Sequence, residues 1–416
     1  MTSEMTMRIL ILGGGVGGQV AANELRRRLS PEHRVTLIER DTRHAFAPSF
    51  LWVMTGDRQP QHVTRNVREL VRPGVEVITA EIRRIDVANR RVETGHESLA
   101  YDYLVVALGA ELALDAIPGL ASAAHTFYTL DGAARLRTAL DGVGGGTVAV
   151  VVSALPYKCP GAPHEAAMLL ADFFRRRRRR HTVDVHLFTP EPQPMPVAGP
   201  VLGEAVQQML ARRRIGFHPS HKLTAVNPDS RELLFDGKSP VKYDLLVAIP
   251  PHRAPALVRE AGLANDSGWI PVDRQTLATR HEHVYAIGDI AAVAIPGRWK
   301  PDVPLMLPKA GVFAHGEALV VARRIAAEIA GVAATDTFCG DGFCMLEAGE
   351  DLAGIAFGDF FAEPSPHVEV RSIGKAWHLG KVLFELWWLA PWGIRRRVLK
   401  ATLTIGSRIY GIPMTF

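Results

Sequence analysis

The chain has 416 residues, 47% hydrophobic and 22% charged, with a net charge of +5. That composition is globular, leaves room for two or three domains, and excludes a disordered or low-complexity protein. The positive excess is partly local, in Arg175–Arg180 and Arg395–Arg397; neither run has aromatic interleaving, so nucleic acid is not an expected partner, and the first run reads as a solvated helix end.

Met1–Arg8 is largely polar and the apolar run Ile9–Leu12 is short. A chain made in the cytoplasm without a signal peptide is expected. No stretch approaches the ~18 uncharged apolar residues of a membrane span, so any membrane attachment is peripheral. Arg8–Leu12 is a predicted buried strand. It runs into Gly13-Gly14-Gly15-Val16-Gly17-Gly18, then a helix ending near Arg28, then a strand over Arg34–Ile38 closed by Glu39. This is strand, glycine turn, helix, strand, acid. Glu39 stands about 20 residues beyond Gly18, where a ribose-binding carboxylate belongs. Gly13 permits the turn, Gly15 lets backbone approach a pyrophosphate, and Gly18 allows close helix–strand packing.

Two later apolar strands end in glycine: Tyr101–Gly109, and His283–Ile287 followed by Gly288-Asp289. Both resemble the paired motifs of flavoproteins with two dinucleotide folds, in which the Gly-Asp aspartate bonds the ribitol of FAD. The resemblance implies FAD rather than NAD in the first site. The fold class expected is α/β, with two Rossmann-like domains, the FAD domain being discontinuous over 1–110 and 275–335. A second Rossmann-like unit, 111–274, is inserted, and a C-terminal amphipathic-helix region covers 336–416.

The inserted unit keeps the rhythm and loses the fingerprint. Thr147–Val152, Val183–Phe188 and Tyr243–Ile249 read as strands and Glu165–Phe174 as a helix. Where a second glycine-rich phosphate loop would lie, the chain reads Ser153-Ala154-Leu155-Pro156-Tyr157-Lys158-Cys159-Pro160-Gly161-Ala162-Pro163. Three prolines and one glycine cannot form the turn that cradles a pyrophosphate. A thiol takes the place of a nicotinamide nucleotide site. The three cysteines, Cys159, Cys339 and Cys344, are no secreted disulfide framework, and scattered histidines give no metal site.

Over nearly its whole length the chain resembles the sulfide:quinone oxidoreductases and the related flavoprotein subunit of flavocytochrome c sulfide dehydrogenase. The residues that carry the resemblance are Phe46-Ala47-Pro48 with Gly56, Lys158–Pro163 with Glu165, Leu307-Pro308-Lys309-Ala310-Gly311, and Cys344–Gly349. It implies that Pro48 and Lys309 contact the flavin and that Cys159 and Cys344 form a redox pair, Cys339 being the spare. Hydrosulfide would attack the pair's disulfide, leaving a persulfide on one cysteine and a thiolate on the other. Glu165, on the first turn after Cys159, is either a proton carrier or a helix-start acid favoured by the dipole. One departure stands out: Tyr128 precedes Thr129-Leu130 where many relatives have a third cysteine.

Near the C-terminus, Trp377–Leu389 and Ile394–Ile409 read as amphipathic helices separated by Pro391 and Gly393. Ile394, Val398, Thr402, Ile405 and Ile409 share a stripe, with Arg395, Arg396, Lys400 and Arg408 off it. Tryptophans beside arginines suit a membrane-surface anchor; packing on the core or in a homo-oligomer is the alternative. By resemblance, Phe343, Phe384 and Lys381 flank a membrane quinone. The reading is a flavoenzyme taking electrons from hydrosulfide to quinone. Competing readings are a subunit passing electrons to a cytochrome, a type II NADH:quinone oxidoreductase, and a flavin-binding sensor without turnover.

Overall fold

The computed structural model describes residues 6–412 and 414; Met1–Met5, part of the leader-free start expected from sequence, lie outside the described residues. The chain begins β1 (Arg8–Leu12), α1 (Val16–Arg28), β2 (Arg34–Glu39), followed by a short helix α2 (Phe50–Thr55), β3 (Val75–Thr79) and β4 (Tyr103–Val106). The inserted segment supplies β5 (Gly146–Val152), α3 (Ala162–Arg176), β6 (Val183–Phe188), β7 (Gly216–His218) and β8 (Leu245–Ile249). Then come β9 (Val284–Ala286), α4 (Gly311–Ile329), three strands β10 (Asp341–Gly349), β11 (Leu352–Asp359) and β12 (His367–Gly374), and the helices α5 (Lys375–Trp388) and α6 (Ile394–Ile409).

The first sheet is parallel, in the order β9-β4-β1-β2-β3. Its central strand is buried from Ile9 to Leu12, as a strand covered on both faces must be. β9, distant in sequence, pairs with β4 at Val284–Leu104 and Ala286–Val106, and so delivers Gly288 and Asp289 to the same edge as the glycine turn. The second sheet is also parallel, β7-β6-β5-β8. β-branched runs such as Val150-Val151-Val152 suit its doubly covered strands. One apolar core extends through both sheets and α3.

The third sheet, β10-β11-β12, is antiparallel and was not among the sequence expectations. Its first hairpin turns at Gly349-Glu350-Asp351, all with positive φ. The sheet carries Cys344 on its first strand, against α3. The C-terminal helices fall where expected, within two residues, and Trp392 is exposed as a surface anchor requires, but two of the tryptophans face inward instead. Trp387 and Trp388 are 4% and 1% exposed and pack with Phe46, Leu389 and Leu403. Trp388 Nε1 donates to His44 Nε2 at 2.9 Å. The helix α5 is therefore part of the core, because its indoles find buried partners on the first domain. The arginines at the end of α3 are a helix end, as expected: Arg175 and Arg176 pair with Asp172, Arg176 also with Asp57, and Arg180 caps the Val183 and Arg214 carbonyls. Among the described residues, no helix is long and apolar enough to cross a membrane.

Candidate active site

The nucleotide cradle is built by contrast among glycines. A Cβ on Gly18 would sit 1.9 Å from the Gly13 carbonyl oxygen, and one on Gly13 would sit 2.5 Å from that of Ala107. Both must be glycine for α1 to approach the sheet. A Cβ on Gly15 or Gly109 would meet nothing within 4 Å. Gly15 is the N-cap of α1, and the first turn carries no acid. An open space at a helix N-terminus free of acidic side chains fits a pyrophosphate. Glu39 ends β2 and accepts from the Gly14 and Asp41 amides at 2.5 and 3.0 Å. Pro48 is exposed in a single turn of helix over Ala47–Ser49. On the other side, Gly288 takes φ +73 and donates its amide to Glu317 at 2.5 Å. Burial pushes Glu317 up to about 7 and raises Asp289 as well.

Cys159 is held by its backbone. Its φ is +57, a conformation that a non-glycine residue adopts at a cost and that recurs at functional sites. Its amide donates to the Lys309 carbonyl at 2.7 Å, and the Tyr128 hydroxyl donates to the Lys158 carbonyl at 2.9 Å. Lys309 Nζ donates in turn to the Asp289 carbonyl at 2.6 Å and lies 3.6 Å from the centroid of the Trp269 ring. Burial lowers Lys309 to about 8. The cysteine loop is thus tied to the segment carrying Asp289. The replacement of a phosphate loop is also visible in α3: Pro163 stands in its first turn with Glu165, and Ala162, Pro163, His164 and Glu165 are all buried. That helix end has neither the free amides nor the charge balance to receive a pyrophosphate.

Cys159 and Cys344 line one cavity of about 770 Å³ with Tyr157, Trp269, Lys309 and Phe343. A Cβ on Gly161, two residues after Cys159, would lie 3.1 Å from Cys344 Sγ. Neither cysteine is in a disulfide. Both are half-buried and open on the cavity. Burial, reinforced by the Glu165 carboxylate, pushes Cys159 up to about 12 and Cys344 upward too. Cys339 is exposed and does not line the cavity.

Behind the thiols lies a buried set of charges. Glu165 forms an ion pair with Lys381 of α5 and accepts the Glu347 amide at 2.8 Å. Burial opposes the Lys381 charge, yet Glu165 and Glu347 outweigh it and hold the ammonium above its ordinary value. Glu347 Oε2 is 2.9 Å from His378 Nδ1. The structure thus brings Lys381 to Glu165. It brings Phe343 to Phe384 with ring centroids 6.2 Å apart, and Phe384 to Phe46 at 6.0 Å. Sequence reasoning missed Trp269, Glu347 and His378. The i, i+3 spacing of His378 and Lys381 was the one signal, since it puts both on one helix face.

The chain matches the family model described as pyridine nucleotide-disulphide oxidoreductase over residues 7–312. It is 27% identical over 307 residues to the mitochondrial sulfide:quinone oxidoreductase of Mus musculus, covering 69% of this chain and 66% of that protein. It is 27% identical over 402 residues to the sulfide-quinone reductase of Aquifex aeolicus (strain VF5), covering 94% of this chain and 92% of that one. The crystal structure of the Aquifex aeolicus sulfide:quinone oxidoreductase superposes with a TM-score of 0.81 at 24% identity, over 96% of each chain.

Proposed function

The chain belongs to the pyridine nucleotide-disulphide oxidoreductase family, and within it we propose an FAD-dependent sulfide:quinone oxidoreductase. One observation carries the reading. Two cysteines from segments far apart in sequence line a single cavity at the point where the second phosphate loop is replaced. The names of the mouse and Aquifex relatives support the same reaction.

Gly13, Gly15, Gly18, Glu39, Gly109, Gly288 and Asp289 would hold FAD, with Pro48 and Lys309 beside it. When bound, FAD would supply a two-electron acceptor between the sulfur and a quinone. The chain's own residues do the rest. In the oxidised form of the pair, hydrosulfide attacks the Cys159–Cys344 disulfide; that S–S bond breaks and a new one forms to the incoming sulfur, leaving a persulfide on one cysteine and a thiolate on the other. Desolvation disfavours the thiolate form of both cysteines, so protons released here call for an acceptor within reach, and Glu165 is the adjacent carboxylate. Lys381 offsets the negative charge that develops. The φ +57 backbone of Cys159, tied to Lys309 and Tyr128, fixes the sulfur's direction.

Phe343 and Phe384 supply flat apolar faces for a quinone. The exposed stripe of α6 supports peripheral attachment to the bilayer from which that quinone would come. The test is anaerobic addition of sulfide, and separately NADH, to the purified yellow protein. Bleaching by micromolar sulfide but not by NADH is expected. Rapid bleaching by NADH alone would replace this reading with a type II NADH:quinone oxidoreductase.

A further inference from the structure

Sulfide oxidation at the two cysteines, which lie half-buried on their cavity, releases protons beside the buried charges behind them. Oxidising one HS⁻ yields a persulfide sulfur, two electrons and one proton; a bound FAD would take the two electrons, leaving the proton to the chain's own residues. The Glu165–Lys381 pair has almost no contact with solvent, its side chains being 3% and 8% exposed. On the far side of that pair, Glu347 is also buried, at 2%. Its backbone amide donates to Glu165, its Oε2 faces His378 Nδ1 at 2.9 Å, and its Oε1 is buried with no hydrogen-bond partner. His378 is 22% exposed, and its Nε2 is 3.8 Å from Oδ1 of Asp351, an exposed residue of the β10–β11 turn. The sequence of groups from the thiols outward is carboxylate, ammonium, carboxylate, imidazole, water.

We propose that Glu347 and His378 form the proton conduit between the Glu165–Lys381 pair and solvent. The proposal rests on the sulfide-oxidising reading of the cysteine site. The hydrosulfide proton goes to Glu165. The Lys381 ammonium, in the electrostatic field of Glu347 but not in direct contact with it, gives a proton through one water to the free oxygen of Glu347 and regains one from Glu165. Glu347 passes it to His378, which releases it beside Asp351. The charged groups facing the path are Glu165 from α3, Lys381 from α5 and Asp351 from the turn; the Trp52 ring of α2 lies 6.0 Å from the imidazole. Burial raises Glu347, although Lys381 and His378 draw it down, and a raised carboxyl more readily takes up a proton. Buried polar atoms are seldom left without a partner, and this oxygen, which has none in the protein, lies beside proton-exchanging groups.

The test uses flavin-loaded protein in stopped flow, following flavin bleaching by sulfide and proton release to an indicator dye in one turnover. Glu347→Gln and His378→Ala are each expected to slow both signals about 100-fold, with half-saturation by sulfide unchanged. Free imidazole should restore His378→Ala, and flavin content and melting temperature verify that the variants fold. His378→Ala at wild-type rate, or slow and indifferent to imidazole, would overturn the conduit alone. A wild-type flavin that sulfide leaves oxidised would overturn the parent reading, and the conduit with it.

Discussion

At the scale of single residues, the same amino acid does opposite jobs a few positions apart. Gly18 is glycine because backbone fills the space its side chain would need, and Gly15 because nothing in the protein does. Gly15 has φ −71 and ψ −167, which any residue tolerates. Gly15→Val should therefore keep its melting temperature within about 1 °C while losing most of its flavin absorbance. Gly18→Ala, with a Cβ driven against a carbonyl, should lose stability by about 1–3 kcal/mol or more. A Gly15→Val protein that purifies with full flavin would show that the dinucleotide lies elsewhere. The cysteines divide the same way. Cys159→Ser and Cys344→Ser should each abolish sulfide-driven bleaching, because serine gives neither thiolate nor disulfide, whereas Cys339→Ser, exposed and off the cavity, should bleach at the normal rate. Activity surviving in Cys344→Ser and lost in Cys339→Ser would reverse the pairing. The glycines and Cys159 were legible in sequence because local spacing encodes them. Glu347 and His378 were not, because their meaning arises only when β10 and α5 meet.

At the scale of elements, α5 shows what periodicity leaves open. Its pattern announces two faces without saying which one turns inward. Read alone, the tryptophans beside arginines suggested an interfacial anchor. In the fold His378, Lys381 and Glu385 point inward, each to a partner: Glu347, Glu165, and Ser49 with Arg58. The third sheet was illegible for a related reason: β10 and β11 are apolar segments whose pairing depends on a turn of three positive-φ residues, only one of them glycine. The docking of α5 carries a pH dependence whose sign is fixed. Burial pushes His44 and His315 down to about 4; His44 accepts from Trp388, and His315 lies 6.4 and 6.5 Å from Trp387 and Trp388. Between their ordinary value of 6.5 and about 4, the unfolded chain binds more protons than the folded one. Their contribution is complete above pH 6.5 and is lost as pH falls through about 4. Tryptophan fluorescence should therefore shift toward that of exposed indole across this window, and His44→Gln should flatten the response. An emission spectrum constant from pH 7 to 4 would show that these imidazoles do not govern the docking.

At the scale of the whole molecule, the apolar surface is concentrated where function would use it. Ile394, Val398, Ile405 and Ile409 of α6 are 76%, 59%, 58% and 74% exposed, and Arg395, Arg397 and Arg408 are exposed on the same helix. The opposite side of α6 is anchored by Leu403 in the core and by buried Arg396, which donates to the Trp388 and Ala390 carbonyls at 3.1 and 2.9 Å. A helix fixed on one side and apolar on the other presents a rigid face. Arginines beside such a face favour anionic headgroups. Cutting the chain after Ser372 is a poor test of this, because it strips Lys381 from Glu165 and Trp388 from the first domain; an unpaired buried charge alone costs about 3–5 kcal/mol. Replacing the four exposed apolar residues with serine leaves every buried contact in place. That variant should keep its flavin and its sulfide-driven bleaching, yet fail to co-sediment with anionic liposomes that pull down the parent protein. It should still reduce a soluble quinone analogue, since Phe343 and Phe384 are untouched. If the parent stays in the supernatant at low salt, and the serine variant instead changes the mass seen by light scattering, the stripe joins two copies of the chain and the quinone must arrive by another route.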